Sequence, residues 1–310
     1  MLRKDTEKLK LRGSVANFMS LSYRDETKEL NELTRKEASG SFIQLPDGVT
    51  HYELSNPEAE NTVILVHGFS VPYFIYDPTF EFLTQSGFRV VRYDLFGRGF
   101  SDRPKTRYKI DLFIRQLGDL LDALRFTRPV TLVGLSTGGP ITTVFTALHP
   151  ERVNKLVLID PIGANPLPFA RILKLAAMPI VGETIIGWIG IDGMYKIIAS
   201  DFFDRRLVEE FQSRYIIQMH YKGFKRAILS TIRNHMLDSF MDDYRRVGKM
   251  NIPILLFWGR NDPTVPFSHS DELRKAIPNI EFHPIENCGH IPHFEKPQEV
   301  NPILLEFLRK

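Results

Sequence analysis

Residues 131–140, TLVGLSTGGP, run a strand-forming stretch straight into a serine boxed in by glycines, with Gly134 and Gly138 two residues to either side of Ser136 and Gly139 behind. VTLVG reads as a strand and GPITTVFTALHP as a helix, so the serine stands where the chain must stop, turn sharply and wind up. Glycines at the flanks remove the Cβ atoms that would collide in such a turn, leaving the serine in a strained conformation with its hydroxyl exposed. Strain marks function better than a relaxed turn does. The new helix also directs backbone N–H groups and a positive dipole end at whatever binds there. G-x-S-x-G alone arises by chance in glycine-rich turns; the strand before it and the helix after it give it weight.

Working outward, SFIQL and VTHYEL flank Pro46-Asp47-Gly48 and predict a hairpin. TVILVHG, FRVVRYD, KLVLIDP, IPILLFWGR and NIEFHPIE are short continuous apolar runs, the pattern of strands covered on both faces. Helical stretches separate them: YDPTFEFLTQS, KIDLFIRQLGDLLDALRF, SDELRKAIP and PQEVNPILLEFLRK. Strand and helix in alternation imply a mostly parallel sheet with right-handed crossovers. Between LIDP and IPILLFWG about 90 residues carry helical patterning and no strand, too long for a structureless loop. Residues 162–248 are therefore expected to form a helical cap over one end of the sheet, between core segments 41–161 and 249–310. Residues 1–40 are polar and lack a strand signal. They are expected to form a helical N-terminal extension of one or two surface helices, with a membrane-surface or partner contact as the alternative role.

A chain of 310 residues with 43% hydrophobic side chains can bury a sizeable core as one large domain or a domain with an insertion. The net charge of +3 sits entirely in MLRKDTEKLKLR, with five basic and two acidic residues, and the remaining charges balance. Nothing marks a nucleic-acid-binding stripe. Cys288 is the single cysteine, which excludes an internal disulfide and a multi-cysteine metal site and points to a reducing, cytoplasmic setting. No apolar run reaches the roughly 18 to 20 residues of a membrane helix, and no signal-peptide core is expected at the N-terminus.

A serine hydroxyl is a weak nucleophile at neutral pH and needs a base, which in turn needs a group to fix its tautomer. Of nine histidines, His290 in ENCGHIPHFEKP lies just past the last predicted strand, in a Gly- and Pro-containing loop. His293 competes with it; without further ligands the pair makes no metal site. Asp262 in FWGRNDPTVP follows another strand and is the expected orienting acid, with Asp160 after KLVLI as the alternative. Asp94 in RYDLFGRG is expected to bond loop backbone, and Cys288 to pack. The chain order Ser136, Asp262, His290 belongs to one fold. The oxyanion formed on attack needs two backbone donors, expected from Thr137 and Phe69. Gly68 lets the second loop approach, and His67 shapes it.

HGF at 67–69, DLFGRGFSDRP at 94–104, GLSTGG, WGRNDP and NCGHIPHFEKP, in this order, resemble the α/β-hydrolase superfamily, in the branch with a helical cap. The resemblance covers about residues 41–310. It implies the α/β-hydrolase fold: an eight-stranded, mostly parallel sheet flanked by helices, its second strand antiparallel, a cap inserted after the sixth strand and a triad at the carboxyl edge. Haloalkane dehalogenases and epoxide hydrolases look similar across DLFGRGFSDRP but use an aspartate nucleophile, and Ser136 argues against both. Carbon–carbon hydrolases of ring-fission products usually carry Asn before the serine and Trp after the triad histidine, where this chain has Leu135 and Ile291. Cofactor-free perhydrolases share the serine triad. A cap bearing Leu173, Leu175, Met178, Ile185, Trp188 and Met194 would give the cavity an oily wall.

The expected function is thus a serine carboxylesterase or monoacylglycerol-type lipase, cleaving an ester with an apolar acyl chain through an acyl-enzyme. The alternatives are a carbon–carbon hydrolase, a perhydrolase and a hydrolase-fold ligand-binding protein. No metal or organic cofactor is called for. The expected partner is the small-molecule ester, with membrane-surface contact through the cap or N-terminal segment as a further one.

Overall fold

In the computed structural model residues 22–310 are described, and eight of their strands form one sheet in the order β1-β2-β4-β3-β5-β6-β7-β8. The strands are β1 Ser41–Leu45, β2 Gly48–Ser55, β3 Thr62–Val66, β4 Arg89–Tyr93, β5 Val130–Leu135, β6 Val153–Ile159, β7 Ile254–Gly259 and β8 Glu281–Ile285. β2 runs antiparallel to both of its neighbours; the other pairs are parallel.

β3, β5 and β7 are buried along their whole length because helices cover both faces, which is why they read as unbroken apolar runs. Along β3, Ile64 and Val66 enter one core while Val63 and Leu65 enter the other. The first core is closed by α3 (Ile110–Ala123) and α4 (Gly138–Leu148), the second by α2 (Asp77–Gln85) and the C-terminal helix α12 (Pro297–Arg309). Between them α10 (His269–Ala276) links β7 to β8, and α11 (Pro292–Glu295) precedes α12.

Between β6 and β7 lie α5 (Ala170–Ala177), α6 (Val181–Ser200), α7 (Val208–Ile217), α8 (Phe224–Arg233) and α9 (Met241–Val247). The ion pair of Glu183 with Arg233, at 2.7 Å, ties α6 to α8, and Gly190 breaks the helical geometry of α6 at φ 59°. The last of these helices departs from the expected boundary at 248. α9 packs on α4 and α10, and the Tyr244 hydroxyl donates to the Ile162 carbonyl at 2.7 Å, so α9 belongs to the core layer.

Residues 1–21, with KLKLR, lie outside the described residues. Between Ser22 and Gly40 the described helix is α1 (Glu32–Arg35), capped by the Asn31 side chain. Leu33 is 72% exposed: this stretch has no apolar stripe to bury, and a short helix without one is marginal. Its anchor is Glu26, whose carboxylate accepts from the Gly223 and Lys225 amides at the start of α8.

Candidate active site

At the end of β5 the backbone swings into φ 53° at Ser136, a left-handed conformation that a serine adopts only under constraint. The constraint is the closeness of strand and helix. A Cβ on Gly134 would stand 2.4 Å from the Gly138 carbonyl oxygen, and one on Gly138 would stand 2.2 Å from that of Val66. The turn thus exists only with glycine at both flanks. A Cβ on Gly68 would lie 3.1 Å from that of Ser136, so the loop after β3 runs directly over the serine.

Among the described residues, neither the Phe69 nor the Thr137 backbone N–H donates to a protein acceptor, and both residues line the same cavity as Ser136. Two motifs fix these loops. The Asp94 carboxylate accepts from the Tyr73 and Phe100 amides, and the fully buried Arg98 donates from Nε to the Phe69 carbonyl at 2.7 Å and from a terminal nitrogen to Thr231. His67 donates from Nδ1 to the Gly68 carbonyl and accepts from the Leu95 amide at Nε2. Burial pushes it down to about 4, so it stays neutral and shapes the loop.

His290 lines the cavity, and its Nδ1 donates to Asp262 Oδ2 at 2.7 Å. The other carboxylate oxygen of Asp262 accepts from the Thr264 and Val265 amides, both at 2.8 Å, which fixes its orientation. Burial alone would lower the imidazole below its ordinary 6.5. The charge and hydrogen bond of Asp262, with the charge of Asp201, more than offset this and raise it. His293 sits apart, tilted against the Tyr76 ring with centroids 4.6 Å apart, and pushed down to about 3 by burial. Cys288 is buried against Glu295 with its thiol raised, which removes it as a thiolate nucleophile.

Asp160 is fully buried beside Asp262 and accepts from the Gly259 amide at 2.8 Å. Burial first, and the Asp262 charge second, hold it well above the carboxylate range, so it is a neutral acid. Ligand-type atoms of Asp160, Asp262 and His290 lie within 4.8 Å of one another, the one such cluster among the described residues. The Asp262–His290 hydrogen bond already engages the facing atoms.

Two contributors were not singled out by sequence. Asp201, at the end of α6, accepts the His290 amide at its carbonyl at 2.8 Å and hydrogen-bonds Thr264 through its carboxyl group, which burial pushes up to about 6. Glu295 accepts from the Gly289 and Asp204 amides and so fixes the His290 loop to the segment after α6. No local pattern flags either, because each acts across the fold.

The cavity holds about 420 Å³. Its wall is apolar and includes Leu135, Phe169, Ile186, Met194 and Ile291, and no lysine or arginine lines it. Ser136, His290, Phe69 and Thr137 thus line one cavity, and the imidazole is hydrogen-bonded to Asp262, while no hydrogen bond joins the Ser136 hydroxyl to His290 among the described residues.

The profile described as the alpha/beta hydrolase family matches residues 63–303. Over 90% of its length the chain is 30% identical to a 2-hydroxy-6-oxononadienedioate/2-hydroxy-6-oxononatrienedioate hydrolase of Pseudomonas putida, covering 99% of that protein. It is also 30% identical to a 2-hydroxy-6-oxo-6-phenylhexa-2,4-dienoate hydrolase of Comamonas testosteroni, over 89% of this chain and 97% of the relative. The crystal structure of a point mutant of a meta-cleavage product hydrolase superposes with a TM-score of 0.72 at 26% identity, covering 87% of this chain and 98% of the other. These likenesses overturn the expectation of a carboxylesterase or monoacylglycerol-type lipase. The compounds in the relatives' names contain no ester, so their hydrolysis breaks a carbon–carbon bond, which is the alternative reading.

Proposed function

The chain belongs to the alpha/beta hydrolase family, and on that premise we propose that it hydrolyses the carbon–carbon bond beside the ketone of a 2-hydroxy-6-oxo-dienoate whose terminal acyl group is apolar. The observation that carries this reading is the similarity, along nearly the whole chain, to hydrolases of such compounds. The cavity wall around Ser136 adds that the acyl group is apolar.

A ketone loses a carbon substituent only if the departing carbon can hold the electron pair. In the keto tautomer of such a dienoate that pair is delocalised towards the 2-oxo acid. Ser136 Oγ adds to the C6 carbonyl while His290 takes its proton, and the Phe69 and Thr137 amides hold the oxyanion. Collapse breaks the C5–C6 bond and His290 returns the proton to C5. Water, deprotonated by His290, then releases the acid from the acyl-serine. Leu135 and Ile291 stand beside the serine and the histidine and make the acyl side apolar; the dienoate carboxylate lies towards the mouth, in water.

Selectivity tests this. A second carboxylate on the acyl side would enter the wall with no cation to meet it, and an unpaired buried charge is costly. The 6-phenyl dienoate is expected to exceed the nonadienedioate in kcat/KM by about 10- to 100-fold, with each followed by loss of dienolate absorbance. Wild-type protein that consumes neither compound overturns the proposal.

The pH profile tests the base. His290 must be neutral to accept a proton, and its neighbours raise it above 6.5, so kcat/KM is expected to rise with pH through a midpoint above 6.5. Asp201→Asn removes a charge that supports the imidazolium and should move that midpoint lower. A midpoint at or below 6.5 in the unmodified protein contradicts the assignment.

A further inference from the structure

We propose that the outer face of α5 and α6 docks on an anionic lipid surface, so that the mouth of the cavity opens onto the membrane. Of the ten large apolar side chains exposed among the described residues, six lie on these helices and their link: Ile172, Leu175, Met178, Ile180, Trp188 and Ile197. Trp188 is 88% exposed, and an indole, apolar with one N–H donor, favours the boundary between acyl chains and headgroups. So many exposed apolar side chains on one helix pair mark an interaction site.

Charge selects the occupant. Arg171, Lys174 and Lys196 are exposed on the same helices and form no ion pair among the described residues, whereas Asp192 is the one exposed acid there. Glu183, the other acid, is buried against Arg233. Apolar side chains fringed by free cations fit anionic headgroups over acyl chains. A second copy of the face would set the cations against each other across a two-fold axis. α5 and α6 meet at 116°, and no single helix among the described residues is long and apolar enough to cross a membrane, so the face lies on the surface instead of spanning it. Ile172 and Ile197 both line the cavity and stand more than half exposed, which places the mouth within this face. A substrate whose apolar acyl group partitions into the lipid, with its carboxylate held in the hydrated headgroup layer, then enters acyl end first. The docking does not depend on which bond is cleaved.

The chain has two tryptophans, and Trp258 is fully buried, so Trp188 reports the face directly. Vesicles of phosphatidylcholine with phosphatidylglycerol are expected to sediment the full-length protein, shift its emission to the blue and allow quenching by brominated acyl chains. Lys174→Gln with Lys196→Gln should weaken binding about 25-fold, at about 5-fold per lysine, while turnover of a water-soluble substrate is unchanged. Four results overturn the proposal. These are no sedimentation at low salt, sedimentation with Trp188 emission unmoved, equal binding to pure phosphatidylcholine, or a blue shift without lipid that tracks dimer formation in light scattering.

Discussion

Ser136→Ala is expected to lower kcat on a 2-hydroxy-6-oxo-dienoate by about 10⁵- to 10⁶-fold and to abolish labelling by a fluorophosphonate probe. The size follows from what the hydroxyl does. Without it there is no covalent intermediate, His290 has no proton to take from a nucleophile, and only the amide donors and the cavity act on a slow attack by water. The fold should be untouched, because alanine at φ 53° carries the same left-handed strain as serine and the flanking glycines still admit the turn. Thermal unfolding measured beside activity separates the two effects. A melting temperature near that of the unmodified protein with activity gone is the expected pair, and labelling that survives would place the nucleophile elsewhere.

How much was legible follows from the range over which each constraint acts. The sheet was legible because strands covered on both faces must be apolar at every position, as TVILV and ILLFWG are. The serine turn was legible because its demand for glycine falls within five residues. Arg98 was visible only as a letter in DLFGRGF. That it holds the Phe69 carbonyl, and with it the loop after β3, is a contact between two segments brought together by the sheet. Asp201 was silent for the same reason, as its neighbours Thr264 and His290 arrive from beyond β7 and β8. In the described part of the N-terminal stretch Leu33 is exposed, and the segment is tied down by polar contacts such as those of Glu26, which no local pattern announces. The substrate class was misread because an apolar wall fits a fatty acyl chain and an apolar ketone equally well. The departures at Leu135 and Ile291 concern how the wall meets the substrate, and the bond that breaks is set by the substrate's own carbonyl and leaving group.

Asp262→Asn is expected to lower kcat by about 10⁴-fold, and Asp160→Asn by only a few-fold, although the two carboxyl groups are neighbours. Asp262 Oδ1 would keep its bonds from the Thr264 and Val265 amides after the change, so the new amide NH₂ would face His290 Nδ1. A donor there forces Nδ1 to accept, the ring proton moves to Nε2, and the imidazole can no longer take a proton from Ser136. The charge that raises His290 is lost as well, so residual activity should show its acid limb at lower pH. Asp160 differs because burial and the Asp262 charge already hold it neutral. An asparagine there changes no charge and keeps an oxygen for the Gly259 amide. Rates of both variants across pH, each with its melting temperature, decide the matter: a collapse of activity in Asp160→Asn with Asp262→Asn still active would move the orienting role to the end of β6.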